Sequence, residues 1–169
     1  MLTQVVRVAL LAAFLLLSGL SASQAGTYEM ALGQGRAGFT FPDDWKVNKI
    51  KRGLEGLSRK QEVAFWIEAC FDDELAQLQK EHDKYFADHK VAFSGKVETS
   101  QAKKGGATVT TKIFDAKYKG ANTMVVSIVA DFGLNKAKLI YTEWATTIDD
   151  YIDFDEQVGA IMKSFKFPL

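Results

Sequence analysis

Between residues 63 and 71 the chain is apolar on both sides of an extended backbone. Val63, Phe65, Ile67, Ala69 and Phe71 fall on one face, and Ala64, Trp66 and Cys70 make the other largely apolar as well. Alternate residues of a strand point to opposite faces of its sheet, so a strand with one face in water keeps one polar set. A strand without such a set needs cover on both sides. Residues 63–71 are therefore predicted to form a central strand. Residues 123–132, with Met124, Val125 and Val126 followed by Ile128, Val129 and Ala130, carry the same signal.

The remaining elements are arranged around this sheet. Short strands are expected at 27–32, 38–42 and 45–50, with Pro42, Asp43 and Asp44 as turn residues, and the glycines of 53–56 are expected to break extended structure. A helix capped by Asp72 or Asp73 runs to about His89, with an inward stripe of Leu75, Leu78, His82, Tyr85, Phe86 and His89. Segments 95–102 and 107–118 flank Lys103-Lys104-Gly105-Gly106, where glycine accepts the positive φ of a tight hairpin. A second hairpin joins 123–131 to 138–144. Asp153 and Glu156, three apart, resemble a capping box opening a last helix with Phe154, Val158, Ile161, Met162 and Phe165 as its stripe. The fold class is α+β: an antiparallel sheet flanked by helices on both faces, an α/β/α sandwich.

The first 25 residues follow a different logic. Arg7 precedes an apolar run from Val8 to Leu17, and small residues end at Ser21-Ala22-Ser23-Gln24-Ala25. That pattern is a secretory signal peptide with cleavage after Ala25. The run between Arg7 and Ser21 is shorter than the ~20 apolar residues a spanning helix needs, and no cysteine near the cut offers a lipid anchor. Residues 26–169 are then one domain, exported to the periplasm or secreted, with no stable membrane insertion after cleavage. They carry 20 basic and 21 acidic groups. A net charge of −1 gives no basic excess for phosphate neutralisation, so nucleic acid is not an expected partner. Cys70 has no second cysteine in the chain to pair with, which leaves a buried inert thiol, an intermolecular bridge or a reactive group.

Gly38-Phe39-Thr40-Phe41-Pro42-Asp43-Asp44-Trp45, the helix after the central strand, the consecutive hairpins and the ending Ile161-Met162-Lys163-Ser164-Phe165-Lys166-Phe167 together resemble the PsbP-like superfamily, nearest its bacterial DcrB-like periplasmic proteins. The resemblance spans nearly all of 26–169. It implies an antiparallel sheet between helices and a role as an accessory or binding protein, and it brings no catalytic residue set.

No other motif supplies a reactive set. Gly33-Gln34-Gly35-Arg36-Ala37-Gly38 matches a dinucleotide fingerprint as a string, but a strand follows it where the fingerprint needs a helix. His82 and His89 share a helical stripe, yet seven residues separate them by about 10.5 Å, too far to ligate one ion alone. Asp149, Asp150, Asp153, Asp155 and Glu156 lack the spacing of a calcium loop, with Val158 and Ser164 where its glycine and glutamate belong. Ser100-x-x-Lys103 lacks the companion elements of penicillin-interacting enzymes. No catalytic, cofactor or metal residue is assigned. The expected function is an exported, soluble, non-catalytic accessory or protein-binding domain of the cell envelope, with another envelope protein as partner. The alternative is a carrier or sensor for a small apolar ligand or a metal, held under the middle helix near Trp66, His82 and His89. Trp45, Trp66 and Trp144 are expected mainly in the core.

Overall fold

The computed structural model describes residues 25–104, 106–133 and 137–166; the expected signal peptide up to residue 24 lies outside the described residues. The described residues form nine strands and two helices, in chain order β1 (Gly26–Leu32), β2 (Gly35–Phe41), β3 (Lys46–Ile50), β4 (Gly53–Leu57), β5 (Val63–Cys70), α1 (Asp72–Asp88), β6 (Val91–Lys104), β7 (Ala107–Tyr118), β8 (Ala121–Asp131), β9 (Lys138–Ala145) and α2 (Ile148–Lys163). β1 and β2 form a separate hairpin. The other strands form one seven-stranded sheet in the order β3-β4-β5-β9-β8-β7-β6, and every pair in it is antiparallel.

The doubly apolar strand is central, as its pattern requires. β5 is buried along its length except at Ala69, with β4 on one side and β9 on the other. The two sides of its pleat belong to different clusters. Val63, Phe65 and Ile67 pack with Phe39, Phe41, Leu139 and Tyr141, and with Val158 and Ile161 of α2. Ala64 and Trp66 pack with Phe86 of α1, Val125 and Trp144, while Cys70 packs with Leu78 of α1 and Ile140. Complete burial of side chains such as Phe39, Phe41 and Phe65 stabilises the fold by roughly 1.5–3 kcal/mol each. The chain after α2 ties to the hairpin, where the Gly38 amide donates to the Lys166 carbonyl at 2.9 Å, Lys166 donates back at 3.0 Å, and Phe165 lies 5.4 Å from Phe39.

Four local expectations are corrected. Residues 53–56 do not break extended structure: they belong to β4, paired with both β3 and β5. The glycines are there for proximity, since a Cβ on Gly53 would stand 1.9 Å from the Ile67 carbonyl oxygen and one on Gly56 2.5 Å from the Phe41 ring. α1 has Phe71 at its cap position, where Glu74 accepts the Phe71 amide at 3.0 Å, and Asp72 and Asp73 fall in the first turn facing the positive end of the dipole. α2 opens at Thr147, whose hydroxyl accepts the Asp150 amide at 3.1 Å, so Asp153 and Glu156 lie inside the helix rather than at its start. Finally, the second fully buried strand is β9, whereas β8 begins with two exposed residues and then mixes buried and half-buried positions.

Candidate functional site

Polar groups placed at inward positions of the central strands organise the space under α1. Glu68 interrupts the apolar run of β5 and is buried. Its carboxylate lies 2.5 Å from His82 Nε2, and the other ring nitrogen is 3.4 Å from the Thr142 hydroxyl. The ring thus links β5 to β9 through its two nitrogens. Beside this chain, Arg52 reaches Glu81 through both terminal nitrogens at 2.5 and 3.3 Å. Hydrogen bonds from Arg52 and then Gln77 hold the Glu81 carboxyl below its ordinary range. Lys138 stands 2.9 Å from Asp72 and also pairs with Asp131. Burial opposes its charge, but the hydrogen bonds to Asp131 and Asp72 outweigh burial and raise its pKa. Charged groups thus fix α1 at Asp72 to β9, at Glu81 to Arg52 just before β4 and at His82 to β5, and rings fix its last turns.

An acid, a histidine and a hydroxyl in sequence have the form of a proton relay, and its members differ in exposure. Thr142 is 1% exposed and the His82 side chain 21%. One open cleft among the described residues, about 460 Å³, is lined by Arg36, Lys49, Arg52, Cys70, Phe71 and Glu74 among others, and by none of Glu68, His82 or Thr142. The chain of Glu68, His82 and Thr142 ties α1 to β5 and β9. In the cleft, burial, then the charge of Glu74, push Cys70 up to about 11. Cys70 is therefore a buried, protonated thiol at neutral pH.

No family model matches the sequence, and no curated protein matches it. Solved structures do. The solution structure of cyanobacterial PsbP (CyanoP) from Synechocystis sp. PCC 6803 superposes with a TM-score of 0.56 over 89% of this chain and 96% of that chain, at 12% identity. The crystal structure of LpqN, involved in cell envelope biogenesis of Mycobacterium tuberculosis, gives 0.54 over 86% and 92%, at 10% identity. The fold is PsbP-like.

Within this PsbP-like fold the residues singled out from the sequence are dispersed. His89 ends α1, its ring stacked on Tyr85 at 4.0 Å and its Nδ1 2.8 Å from the Tyr85 carbonyl oxygen, while His82 faces Glu68. Among the described residues no group of three or more His, Cys, Asp or Glu is arranged to hold a metal ion. Rings meet near the expected ligand position: Trp66 lies 4.9 Å from Tyr85 and 6.1 Å from Phe86, and Trp144 lies 5.1 Å from Tyr118. Trp45 donates to Gln157 at 2.8 Å and Trp66 to Glu55 at 3.2 Å. Gly33 turns the β1–β2 hairpin at φ +60°. Ser100 and Lys103 both sit on β6, three apart and so on opposite faces. Asp150 accepts hydroxyl protons from Thr146 and Thr147 at 2.6 and 2.7 Å.

What the sequence reading missed entirely is buried charge: Glu68, Lys138 and Glu143. The signal was present, a charged residue at an inward position of a strand otherwise apolar. Glu143 is the most exceptional, because its Oε1 finds no hydrogen-bond partner among the described residues. Burial, and secondarily the charge of Asp155, push it up to about 7. The sheet also has a surface no helix covers. β6 is exposed at every residue but Val91, and Phe93 and Val97 are large apolar side chains left open on it.

Proposed function

We propose that this chain is an exported, soluble accessory protein of the cell envelope that works by holding another protein and performs no chemical step. Its architecture on this reading is an α/β/α arrangement, with α1 on one face of the sheet and α2 with the β1–β2 hairpin on the other. The observation that carries the reading is a long edge strand, β6, whose side chains are left open to solvent from Ala92 to Lys104. Two facts support it. The residues 1–25 have the pattern of a cleaved leader, and one protein of the same fold, LpqN, is described as involved in cell envelope biogenesis. No helix among the described residues is long and apolar enough to cross a membrane.

The test is fractionation with terminal sequencing, followed by crosslinked capture from envelope extract. The expected results are a mature chain beginning at Gly26 outside the cytoplasm and one partner recovered in every replicate. A cytoplasmic chain that keeps its leader removes the export half of the reading, and repeated capture of nothing removes the binding half. Native mass spectrometry separates the carrier alternative: a protein isolated with a bound small molecule, whose melting temperature that molecule raises, argues for a carrier.

A further inference from the structure

We infer that the outer edge of β6 is a docking site for an acidic, extended segment of another protein, which adds as an eighth strand to the sheet. The inference rests on the accessory reading above and gives it a place and a partner chemistry. β6 is the last strand of the sheet, its fourteen residues are exposed save the first, and an edge strand offers a row of backbone donors and acceptors that another strand can satisfy.

Charge selects the partner. Residues 90–120 hold seven lysines, Lys90, Lys96, Lys103, Lys104, Lys112, Lys117 and Lys119, against Glu98 and Asp115, a net +5. The rest of 26–169 holds 13 basic and 19 acidic residues, a net −6. All seven lysines are exposed. Lys96 is neutralised locally by Glu98 at 2.9 Å and Asp115 at 3.6 Å, which leaves the cations of the hairpin's outer half to face solvent. A chain that is nearly neutral overall thus carries a cationic wing.

The same features decide between occupants. β6 alone carries three lysines and one glutamate, so a second copy meets like charge at the edge. The break in register between Phe93 and Val97, with Gly95 at φ +83°, leaves the regular stretch from Val97 to Lys104 as the part of the edge that an added strand can use. A membrane surface needs its cations on one side of the wing. Here Lys103 and Lys112, near in register to Thr99 and Thr108, lie on one face, and Lys104 and Lys117 on the other. Cations on both faces of a strand edge suit a segment that enters in the plane of the sheet, with acidic side chains above and below.

The experiment uses protein purified from the exported fraction and a fluorescent peptide of alternating Glu and Val or Thr, about as long as β6. A second peptide of equal charge carries proline at alternate positions, which removes half of its amide protons and fixes φ near −65° at those residues, so that it pairs poorly as a strand. Binding of the first peptide is expected, with the proline peptide about tenfold weaker or more. Changing Lys103→Glu with Lys112→Glu weakens the first peptide about tenfold or more, while Lys46→Glu with Lys163→Glu, an equal change of net charge away from β6, does not. Equal binding of both peptides, or equal loss in both double variants, overturns the proposal. So does binding to phosphatidylglycerol vesicles without discrimination between the peptides, or a dimer in which β6 amides become protected as concentration rises. A photo-crosslinker at Ser100, with one at Asp44 as comparison, keeps the two readings apart. A cellular partner captured from Asp44 and never from Ser100 ends the β6 proposal and leaves the accessory reading standing; capture from neither ends both.

Discussion

Replacing Glu143 by glutamine is expected to stabilise the protein above neutral pH and to leave it unchanged in acid. The residue is 7% exposed, sits opposite Phe65 on β5 and Val126 on β8, and lies near Tyr151 and Asp155 of α2, with which its charge interacts unfavourably. Burial raises its carboxyl from an ordinary 4.5 to about 7. At about 1.4 kcal/mol per pH unit, that difference costs the native state about 3 kcal/mol once the group is ionised. The sign follows from proton binding. Between pH 4.5 and 7 the native state holds the proton and the unfolded state has released it, so stability falls as pH rises through this window and levels off above it. Glutamine keeps the shape and removes the charge. In urea titrations at a series of pH values from 4 to 8.5, the variant should match the parent at pH 4 and exceed it by about 3 kcal/mol at pH 8, or roughly 6–12 °C in Tm. Because the two proteins share every other titrating group, their difference isolates position 143. A difference that does not vary with pH, or that grows toward acid, refutes the argument.

Four further outcomes follow from named contacts. Gly53→Ala drives a methyl into the Ile67 carbonyl and should cost about 1–3 kcal/mol by thermal melting; an unchanged Tm would show that β4 and β5 part at no cost. His82→Ala strips the buried Glu68 carboxylate of its donor and should lower the urea midpoint by the equivalent of about 1–3 kcal/mol, with His82→Gln losing less; equal stability of both variants would deny the pair a structural role. Cys70, buried and pushed up to about 11, should resist a thiol reagent at pH 8 until urea is added, and rapid native labelling would contradict its placement. In hydrogen exchange the amides of β5 and β9 should be slowest and those on the open edge of β6 fastest; uniform protection of β6 would mean that its edge is already covered.

The parts of the fold legible in the sequence are those where one residue type repeats with a period. β5 shows apolar residues on both faces, α1 shows Leu78 and Phe86 on one stripe, and the Gly106 turn shows the glycine a hairpin needs. What stayed hidden depends on a neighbour far away in the chain. Gly53 and Gly56 look like breakers until β5 and Phe41 are brought against them, and then the missing side chains are what permits contact. Thr147 outranks Asp153 as the start of α2 because the chain leaving β9 must turn at once, and the reciprocal bonds of Thr147 and Asp150 are already in place there. For the candidate site the limit was sharper. His82 was visible as a histidine on an apolar stripe, but its partner Glu68 is fourteen residues away on another element, and Thr142 is sixty away. A single inward charge in a strand has no period, so pattern reading passes over it.

The bare wing follows from the dimensions of the parts. Seven strands at about 4.8 Å spacing place the outer two about 29 Å apart, whereas a helix is about 10 Å across and covers two or three strands at most. α1 crosses the sheet at a slant. Its Glu81 meets Arg52 at the start of β4, and its Phe86 meets Phe93 near the start of β6 at 5.5 Å. With 17 residues it is about 25 Å long, so it reaches β6 only at the first few positions and ends there. The stretch from Val97 to Lys104 extends beyond any cover α1 can give. An uncovered strand in water needs polar side chains on both faces, and β6 and β7 supply lysine, threonine, serine and glutamine where β5 supplies rings and aliphatics. Fourteen residues of edge strand are also far more than a hairpin needs to close. Burial therefore explains why the centre of the sheet exists and says nothing for the length of its rim, and that length is what the docking site proposed for β6 would use.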